Sequence, residues 1–436
     1  MRRALFVMAT LGSAAVWIAL GVWLPWWLIA AAAAAAAIWL VATPAGRRTG
    51  SITAAAIATL PQRLGGASVA LVGIAGVVGV LVGLLAMGNG FRVTLQATGT
   101  DDTAIVLAAG AQNEVDSMLD QTSVRLIGNE PQVVRDPEGR PIASPELLSA
   151  VSLPDESTGL VDYASLRGVG PEAWALRPNV RIITGRRFHT GLRELIVGKD
   201  AIREFAHVSV GAMLDLNGEP WRVVGEFDSG DAHNSELWAD SNVVATTFHR
   251  GNSANTVTVR LRSAQQLDAF KAALASDPQL NVRTDTTRAY YAEQAKGLTR
   301  LIRILGAIVA AIMGIGALAG ALNSMYSAVA ARTREIATLR AIGFRGGPVV
   351  VSVMIETMLL ALAGGALGAG VVWLVFNNYT ASTVGADYNE MMFQFRVSPA
   401  LIGSGLRVAL VIGFLGGLLP ALRAARMPVA DALRKL

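Results

Sequence analysis

Long apolar segments dominate the hydrophobic pattern of the chain, and a single long polar stretch interrupts them. Residues 4–43 are almost continuously apolar. As one helix they would rise about 60 Å, roughly twice the thickness of a bilayer core, so two spans of about 19 residues fit better. Pro25 lies at the break, among tryptophans typical of a membrane interface. The pattern predicts a transmembrane hairpin within residues 1–48.

The beginning of this hairpin has a second interpretation. Arg2 and Arg3 followed by an apolar run also resemble a secretory signal peptide. The second span and the lack of a clean small-residue cleavage site favour a retained hairpin. Residues 49–91 then comprise a weakly apolar segment, predicted to lie along the membrane surface, and a third span over residues 66–88.

Three further uncharged or nearly uncharged segments predict spans four to six. They cover residues 304–331, 348–376 and 399–422. Glycines are frequent in these segments and in the third span, where they allow a neighbouring backbone to approach closely. We predict packing roles for five of them: Gly79, Gly83, Gly364, Gly365 and Gly368.

The polar stretch between the third and fourth spans covers residues 92–298. Short β-like runs predict strands at 194–197, 221–224, 242–245 and 256–260. Asn217-Gly218 predicts a hairpin turn, and helical patterns cover residues 111–120 and 263–275. Residues 377–398, between spans five and six, are expected to form a short polar loop. The fold class is therefore an α-helical integral membrane protein of about six spans, with a large α+β extracytoplasmic domain inserted between the third and fourth.

Composition and charge agree with this class. The chain of 436 residues is 53% hydrophobic and 16% charged, with no cysteine, whereas soluble proteins carry roughly 25% charged residues. The net charge of +5 comes from Lys and Arg beside the spans, so it indicates membrane orientation and not nucleic-acid binding. Arginines near residues 332–345 and in the C-terminal tail predict cytoplasmic termini and an external domain at residues 92–298.

A charged segment between spans four and five, residues 332–343, predicts a short amphipathic helix. Ile336, Leu339 and Ile342 lie three residues apart, near one face, and Gly343 provides a stop. The polar positions, which complete the predicted surface helix, are Arg332, Arg334, Glu335 and Arg340. A helix of this kind at the cytoplasmic surface is expected to contact a partner.

Catalytic and cofactor motifs are missing from the sequence. There is no Gly-x-x-x-x-Gly-Lys-Ser/Thr phosphate loop, so the chain has no recognisable ATP site of its own. The four histidines have no metal-ligand spacing, and we expect no cofactor, metal or catalytic residue. Glu356 is the membrane-embedded acid. It is either a proton relay or, as we favour, a partner for the basic groups of the cytoplasmic helix.

Residues 300–436 resemble the C-terminal membrane module of MacB/FtsX/LolC-type ABC transporter permeases, the mechanotransmission class. The resemblance lies in the segment Arg334–Gly343, in Glu356 followed by Gly364-Gly365, and in the tail from Pro420 to Arg434. Weaker similarity to the periplasmic domain of the family extends it to about residues 64–436. The hairpin at 1–48 is additional to the four spans of the family.

The resemblance implies a permease of the bacterial inner membrane, acting as a homodimer or heterodimer with two ATPase subunits. Residues 332–343 would be the coupling helix, residues 92–298 the periplasmic domain and residues 299–436 the FtsX-like module. The implied function is export or extraction of a substrate at the outer face. In some members a periplasmic adaptor and an outer-membrane channel take part.

Two alternatives remain open at this point. An FtsX-like signalling module would use the same architecture to activate an external cell-wall hydrolase. A membrane receptor or scaffold would have no ATPase at all. An ABC ATPase that co-purifies with the chain would eliminate the receptor, and stimulation of that ATPase by a substrate would separate export from signalling.

Overall fold

The computed structural model describes residues 25–44, 46–47, 49–51, 53, 64–341, 346–384 and 390–427. Contacts divide the chain into two compact units. The first, here called the helical unit, comprises Met1–Asn89, Arg300–Tyr379 and Phe395–Leu436. The second, the α+β domain, comprises Gly90–Thr299 and Thr380–Gln394. The first span of the predicted N-terminal hairpin lies outside the described residues.

Besides helical turns at residues 44, 46–47, 49–51 and 53, the described residues contain eleven α-helices. These are α1 Trp26–Ala42, α2 Leu64–Ala97, α3 Gln121–Asn129, α4 Ala173–Leu176, α5 Ala201–Glu204, α6 Ser241–Thr247, α7 Leu267–Ser276, α8 Thr287–Ala331, α9 Thr333–Ala341, α10 Gly346–Phe376 and α11 Pro399–Arg426. Four of them, α2, α8, α10 and α11, are long and apolar enough to cross a membrane, and α1 is a shorter apolar helix.

The strands all belong to the α+β domain. They are β1 Thr103–Ala108, β2 Ala143–Pro154, β3 Val161–Val169, β4 Arg181–Gly185, β5 Glu194–Gly198, β6 Met213–Leu216, β7 Glu219–Asp228, β8 Glu236–Asp240, β9 Thr256–Arg260, β10 Val282–Thr286, β11 Thr380–Val384 and β12 Glu390–Gln394. Ten of them form one mixed sheet in the order β10-β1-β9-β2-β3-β8-β5-β7-β4, with β6 on β7.

Strand β2 is shared by two halves of this sheet. Its first residues, Ala143–Glu146, pair with β9, and the rest, from Leu147 onward, pair with β3. Each half has its own apolar core: α3 and α7 contribute to the core around β1 and β9, and α5 and α6 to the core around β3 and β5. Strand β2 leaves one half and enters the other at Glu146. The side chain of Glu146 is part of a buried polar network.

Several sequence predictions for this domain match the observed elements. The predicted strand at 256–260 coincides with β9, and the runs at 194–197 and 221–224 lie in β5 and β7. Asn217 and Gly218 form the turn between β6 and β7 with positive φ angles of 56° and 78°. Both conformations lie in the left-handed region that asparagine and glycine tolerate best, so turn chemistry fixes the strand register here.

The prediction of a strand at residues 242–245 is wrong, because these residues lie in helix α6. The side chain of Asp240 accepts hydrogen bonds from the backbone N–H groups of Asn242 and Val243 and caps the helix. Capping and packing onto β3 override the strand preference of the two valines.

The prediction of a helix at residues 111–120 is also wrong. The segment is irregular and is held by side chains that replace helical hydrogen bonds. Asn113 Oδ1 accepts from the N–H of Asp116, and Ser117 Oγ accepts from the N–H of Ala108. Such local side-chain bonds compete directly with helix formation.

The segment between α10 and α11, predicted as a loop, contains the two-stranded hairpin β11–β12. The hairpin packs within the α+β domain. The N–H of Met392 donates to Ser235 Oγ, and the ring of Phe393 lies edge-on to that of Phe91, with centroids 5.9 Å apart.

Candidate coupling helix and buried polar network

The predicted coupling helix is a separate short helix in the structure. Helix α8 ends at Ala331, Arg332 occupies a turn, and α9 begins at Thr333. The hydroxyl of Thr333 donates to the carbonyl of Ala330 over 2.8 Å and so binds the end of one helix to the beginning of the next. Ile342 and Gly343 lie outside the described residues.

Arg332, at this turn, forms a bidentate ion pair with Glu356 of α10. Its Nη1 and Nη2 donate to Glu356 Oε2 and Oε1 over 2.7 and 3.1 Å. The Arg332 and Glu356 side chains are only 11% and 6% exposed. Two parallel hydrogen bonds of this kind fix the orientation of both the guanidinium and the carboxylate. The pair therefore joins the start of α9 to one defined position of a membrane helix.

Two further contacts hold α9 against the helical unit. Ile336 is buried in an apolar cluster with residues of α8, α10 and α11, among them Val329, Val353 and Ala424. Arg340 Nη1 donates to the carbonyl of Met427, directly after α11. The helix is thus anchored at its beginning, middle and end.

The opposite face of α9 carries exposed charges. Arg334, Glu335 and Thr338 are exposed, whereas Ile336 and Ala337 are buried. The predicted amphipathic pattern corresponds to this division, although the structure does not describe the side chain of Leu339. A charged surface on a short helix anchored at three points can transmit a push or pull to the helices beneath it.

The predicted packing glycines lie mainly at helix crossings within the chain. A Cβ at Gly364 would lie 2.8 Å from the carbonyl oxygen of Leu71, and one at Gly368 would overlap the backbone of Ala75. At Gly365 it would lie 2.8 Å from the Cβ of Ala409. These three positions bring α10 close to α2 and α11.

The glycines of α2 differ from one another. A Cβ at Gly79 would be 3.6 Å from the carbonyl oxygen of Gly368, an ordinary contact inside the same chain, and one at Gly83 would meet no atom within 4 Å. Gly79 therefore faces α10, and Gly83 has no close neighbour among the described residues.

Sequence reasoning missed a buried polar network in the α+β domain. Its centre is Arg167 of β3, which is 2% exposed. The guanidinium binds Glu236 of β8 in a fork with two distances of 2.8 Å. It also donates to Glu114 over 2.7 Å and to Glu146 over 2.9 Å. One arginine therefore satisfies three buried carboxylates from three parts of the chain.

Arg177, after α4, forms the second arm of the network. It forks onto Glu146 with distances of 2.6 and 2.8 Å, and its Nε donates to His233 Nε2 over 3.2 Å. Because His233 Nε2 accepts this bond, its Nδ1 carries the proton that faces Glu236. The hydroxyl of Tyr291, on α8, donates to Glu114 over 2.9 Å.

The network keeps Glu236 and Glu146 charged although both carboxyl groups are buried. Burial alone would raise the pKa of Glu236, but its interactions with Arg167 and His233 together outweigh burial and hold that pKa well below its ordinary value. The pKa of Glu146 is also lowered, since Arg177 and Arg167 together overcome its burial. A depressed carboxyl pKa stabilises the fold above the ordinary value of about 4.5, and that stability is lost as the pH falls below it.

The sequence could not have identified this network, because its members lie far apart along the chain. Glu114 and Glu146 are isolated charges in otherwise mixed segments, and Arg167 resembles any outward-facing residue of a strand. Among the described residues, no group of three or more His, Asp or Glu side chains is arranged to hold a metal ion.

Comparison with known protein families gives two matches along the chain. Residues 67–277 match the MacB-like periplasmic core domain, and residues 307–429 match the FtsX-like permease C-terminal domain. The first covers α2 and most of the α+β domain. The second covers most of α8 and all of α9, α10 and α11.

Two relatives align with the chain at modest identity. The macrolide export ATP-binding/permease protein MacB of Shewanella sp. (strain ANA-3) is 27% identical in a 299-residue alignment that covers 62% of this chain and 43% of that protein. The uncharacterized ABC transporter permease YknZ of Bacillus subtilis (strain 168) is 27% identical in a 273-residue alignment that covers 58% of this chain and 64% of YknZ. The chain therefore spans less than two thirds of either relative.

Solved structures of the same kind also align with the chain. The periplasmic region of MacB from Actinobacillus actinomycetemcomitans aligns at 14% identity and a TM-score of 0.34, over 45% of this chain and 92% of that one. The extracellular domain of YknZ from Gram-positive bacteria aligns at 18% identity and a TM-score of 0.31, over 40% of this chain and 91% of that one.

Proposed function

We propose, from the MacB-like and FtsX-like domain matches, that this chain is an ABC transporter permease and that it couples a separate ATPase to movements of its α+β domain. In this proposal α9 is the coupling helix and sits in a groove of an ABC-type ATPase subunit. ATP and magnesium are bound by that partner. The permease itself acts as a dimer, drives export or extraction at the outer face of the inner membrane, and has both termini in the cytoplasm.

The anchoring of α9 is the observation that carries this proposal. A surface helix that only touched a partner could be attached loosely by its two ends. Here the Arg332–Glu356 pair, the buried Ile336 and the Arg340 contact fix it to helices α10 and α11. A displacement of α9 by a partner must therefore displace these helices too, because close-packed interiors transmit strain.

Helix α8 is the second support for coupling. Its 45 residues rise about 68 Å, more than twice the thickness of a bilayer core. The helix carries Tyr291 of the polar network near its beginning and leads into the Arg332 turn at its end. We propose that this helix conveys the movement, and that substrate is handled by the α+β domain instead of passing between the spans.

The test is capture of the ATPase by the tagged full-length chain from native membranes. The triple substitution Arg334→Ala, Glu335→Ala and Leu339→Ala removes two exposed charges of α9 together with the apolar side chain of Leu339. We expect it to lose most of the co-purifying ATPase while membrane insertion is retained. A single substitution changes little, because exposed ion pairs contribute only about 0–1 kcal/mol.

The matched control is the double substitution Glu293→Ala and Lys296→Ala. These residues form an exposed ion pair on α8, 2.7 Å long, and the control should bind the ATPase as the unmodified chain does. Undiminished ATPase capture by the triple variant would refute the assignment of α9. Absence of any ABC-type ATPase from all samples would refute the coupling function itself.

A further inference from the structure

The α+β domain contains a cavity of about 390 Å³ beside the polar network. Its wall combines the C-terminal end of α2, the first turn of α8, strand β9 and the connection between β7 and β8. Volumes of about 300–1,000 Å³ are usual for small-molecule sites. Seven of the fifteen lining residues carry hydroxyl or amide side chains, so the wall offers hydrogen-bond partners to an occupant.

Asp231 is the charged residue on this wall that lacks a counter-ion. It is 6% exposed. Its carboxylate oxygens accept from the N–H of His233 and from Asn179 Nδ2, each over 3.1 Å. Both donors are neutral, and no ion pair to Asp231 occurs among the described residues. A buried carboxylate without a cation is costly, so a cationic group in the cavity would stabilise it.

The other charged groups of the lining are already neutralised. Arg177 is paired with Glu146 over 2.6 Å, and Arg288 with Asp101 over the same distance. Behind this wall, three carboxylates of the network face two guanidinium groups, which leaves an excess of negative charge. The electrostatic balance of the site therefore selects a cation over an anion.

Thr258 on β9 provides an independent observation. It lines the cavity, is 2% exposed, and its hydroxyl has no hydrogen-bond partner among the described residues. Leaving a buried polar group unpaired costs free energy comparable to a lost hydrogen bond. The unsatisfied hydroxyl and the uncompensated carboxylate lie on the same wall, and one ligand could satisfy both.

We propose that this cavity binds a small protonated amine that also carries hydroxyl groups. The ammonium group pairs with Asp231, and a hydroxyl of the ligand bonds to Thr258. The site is assigned from the domain alone and does not depend on coupling to an ATPase. Its occupant would contact the end of α2 and the beginning of α8 together, because both contribute to the wall.

The test uses three sugars that share a ring and differ in charge: protonated glucosamine, neutral N-acetylglucosamine and anionic glucuronate. Binding to the full chain in lipid nanodiscs is measured by titration calorimetry and ligand-observed NMR, without ATPase or nucleotide. We expect glucosamine to bind at least about tenfold more tightly than the other two, since charge-assisted hydrogen bonds are the stronger class.

Two variants with matched controls locate the site. Asp231→Asn keeps the shape and the acceptor for His233 N–H, and should weaken glucosamine binding at least about tenfold. Thr258→Val should weaken it about threefold. The controls are Asp268→Asn, an exposed acid on α7, and Thr256→Val, a buried threonine on the same strand whose hydroxyl is also unpaired but which does not line the cavity.

Four results would overturn the proposal: no binding of glucosamine, equal binding of the three sugars, unchanged affinity in Asp231→Asn, or equal losses in Thr258→Val and Thr256→Val. Hydrogen exchange of peptides that contain the buried Trp221 and Trp238 checks that each variant is folded. If Asp231→Asn does not fold, the comparison of Thr258→Val with Thr256→Val still tests the proposal. A negative result here leaves the ATPase capture experiment unaffected.

Discussion

The two units of the molecule manage buried charge in different ways. In the helical unit, Arg332 and Glu356 form a single ion pair joined by two hydrogen bonds. In the α+β domain, Arg167 lies at the centre of a network that draws on the loop after β1 and on strands β2, β3 and β8. The pair fixes one contact between two neighbouring helices, whereas the network connects elements that are distant in sequence.

This difference has a physical origin in the two folds. The helices satisfy their own backbone hydrogen bonds and pack through glycines, so they need few polar side chains to specify contacts. Strand β2 pairs with β9 in one half of the sheet and with β3 in the other. Packing of apolar side chains alone does not determine where these two halves meet. Charged groups that must all be satisfied together can specify that junction. We therefore predict that apolar side chains can replace the Arg332–Glu356 pair with little loss of stability, whereas apolar replacement within the Arg167 network unfolds the α+β domain.

The largest effect should follow from Arg167→Met. It leaves three carboxylates buried, and breaking even one buried pair costs about 3–5 kcal/mol. We expect unfolding of the α+β domain, seen as rapid hydrogen exchange in peptides from β3 and β8. A second substitution, Glu236→Gln, should not rescue it, because Glu114 and Glu146 remain unpaired by Arg167.

The control for this prediction is Arg140→Met, the same substitution at a surface arginine whose side chain is 65% exposed. Hydrogen exchange of the domain should be unchanged in that variant. Rescue of Arg167→Met by Glu236→Gln alone would show that the network is energetically a single pair, and the contrast between the two units would disappear.

An intermediate effect is expected at the Arg332–Glu356 pair. Arg332→Met leaves a buried carboxylate and should destabilise the junction of α8 and α9 by about 3 kcal/mol. Adding Glu356→Leu removes that carboxylate and should restore most of the loss, since apolar replacements of a buried pair are often neutral. Hydrogen exchange of α9 peptides provides the measurement, and a double variant no better than the single one would contradict the prediction.

The smallest effect concerns glycine packing in α10. Gly368→Val places a side chain against the backbone of Ala75 and should cost about 1–3 kcal/mol. Gly370→Val, two residues along the same helix, meets no atom within 4 Å and should be tolerated. Thermal unfolding in nanodiscs compares the two variants. Equal losses would mean that the α2–α10 contact depends on features other than this close approach.

Much of the coarse architecture was predictable because its signals are local. Apolar runs of membrane length, the Asn217-Gly218 turn and the alternation of residues 256–260 each lie within one short segment. The amphipathic pattern of residues 332–341 also lies within one helical segment. Here hydrophobic periodicity and turn chemistry act over a few residues, so a single sequence carries enough information.

The errors occurred where tertiary contacts reversed a local preference. The valines at 243 and 244 favour a strand, but the Asp240 cap and packing on β3 place them in a helix. Residues 111–120 have a helical pattern, but the side chains of Ser117 and Asn113 accept hydrogen bonds from backbone N–H groups and hold the segment in an irregular conformation. Local propensities of less than about 1 kcal/mol per residue cannot outweigh such contacts.

The sequence by itself determined the membrane segments, the polar domain between them and the charged helix that follows α8, because burial of apolar surface and chain connectivity require them. Only the tertiary structure decided which charges meet. Arg332 finds Glu356 across 24 positions of sequence, and Arg167 finds its three carboxylates across as many as 69. Asp231 and Thr258 line one cavity for the same reason: folding brings together side chains whose separation along the chain carries no signal of their proximity.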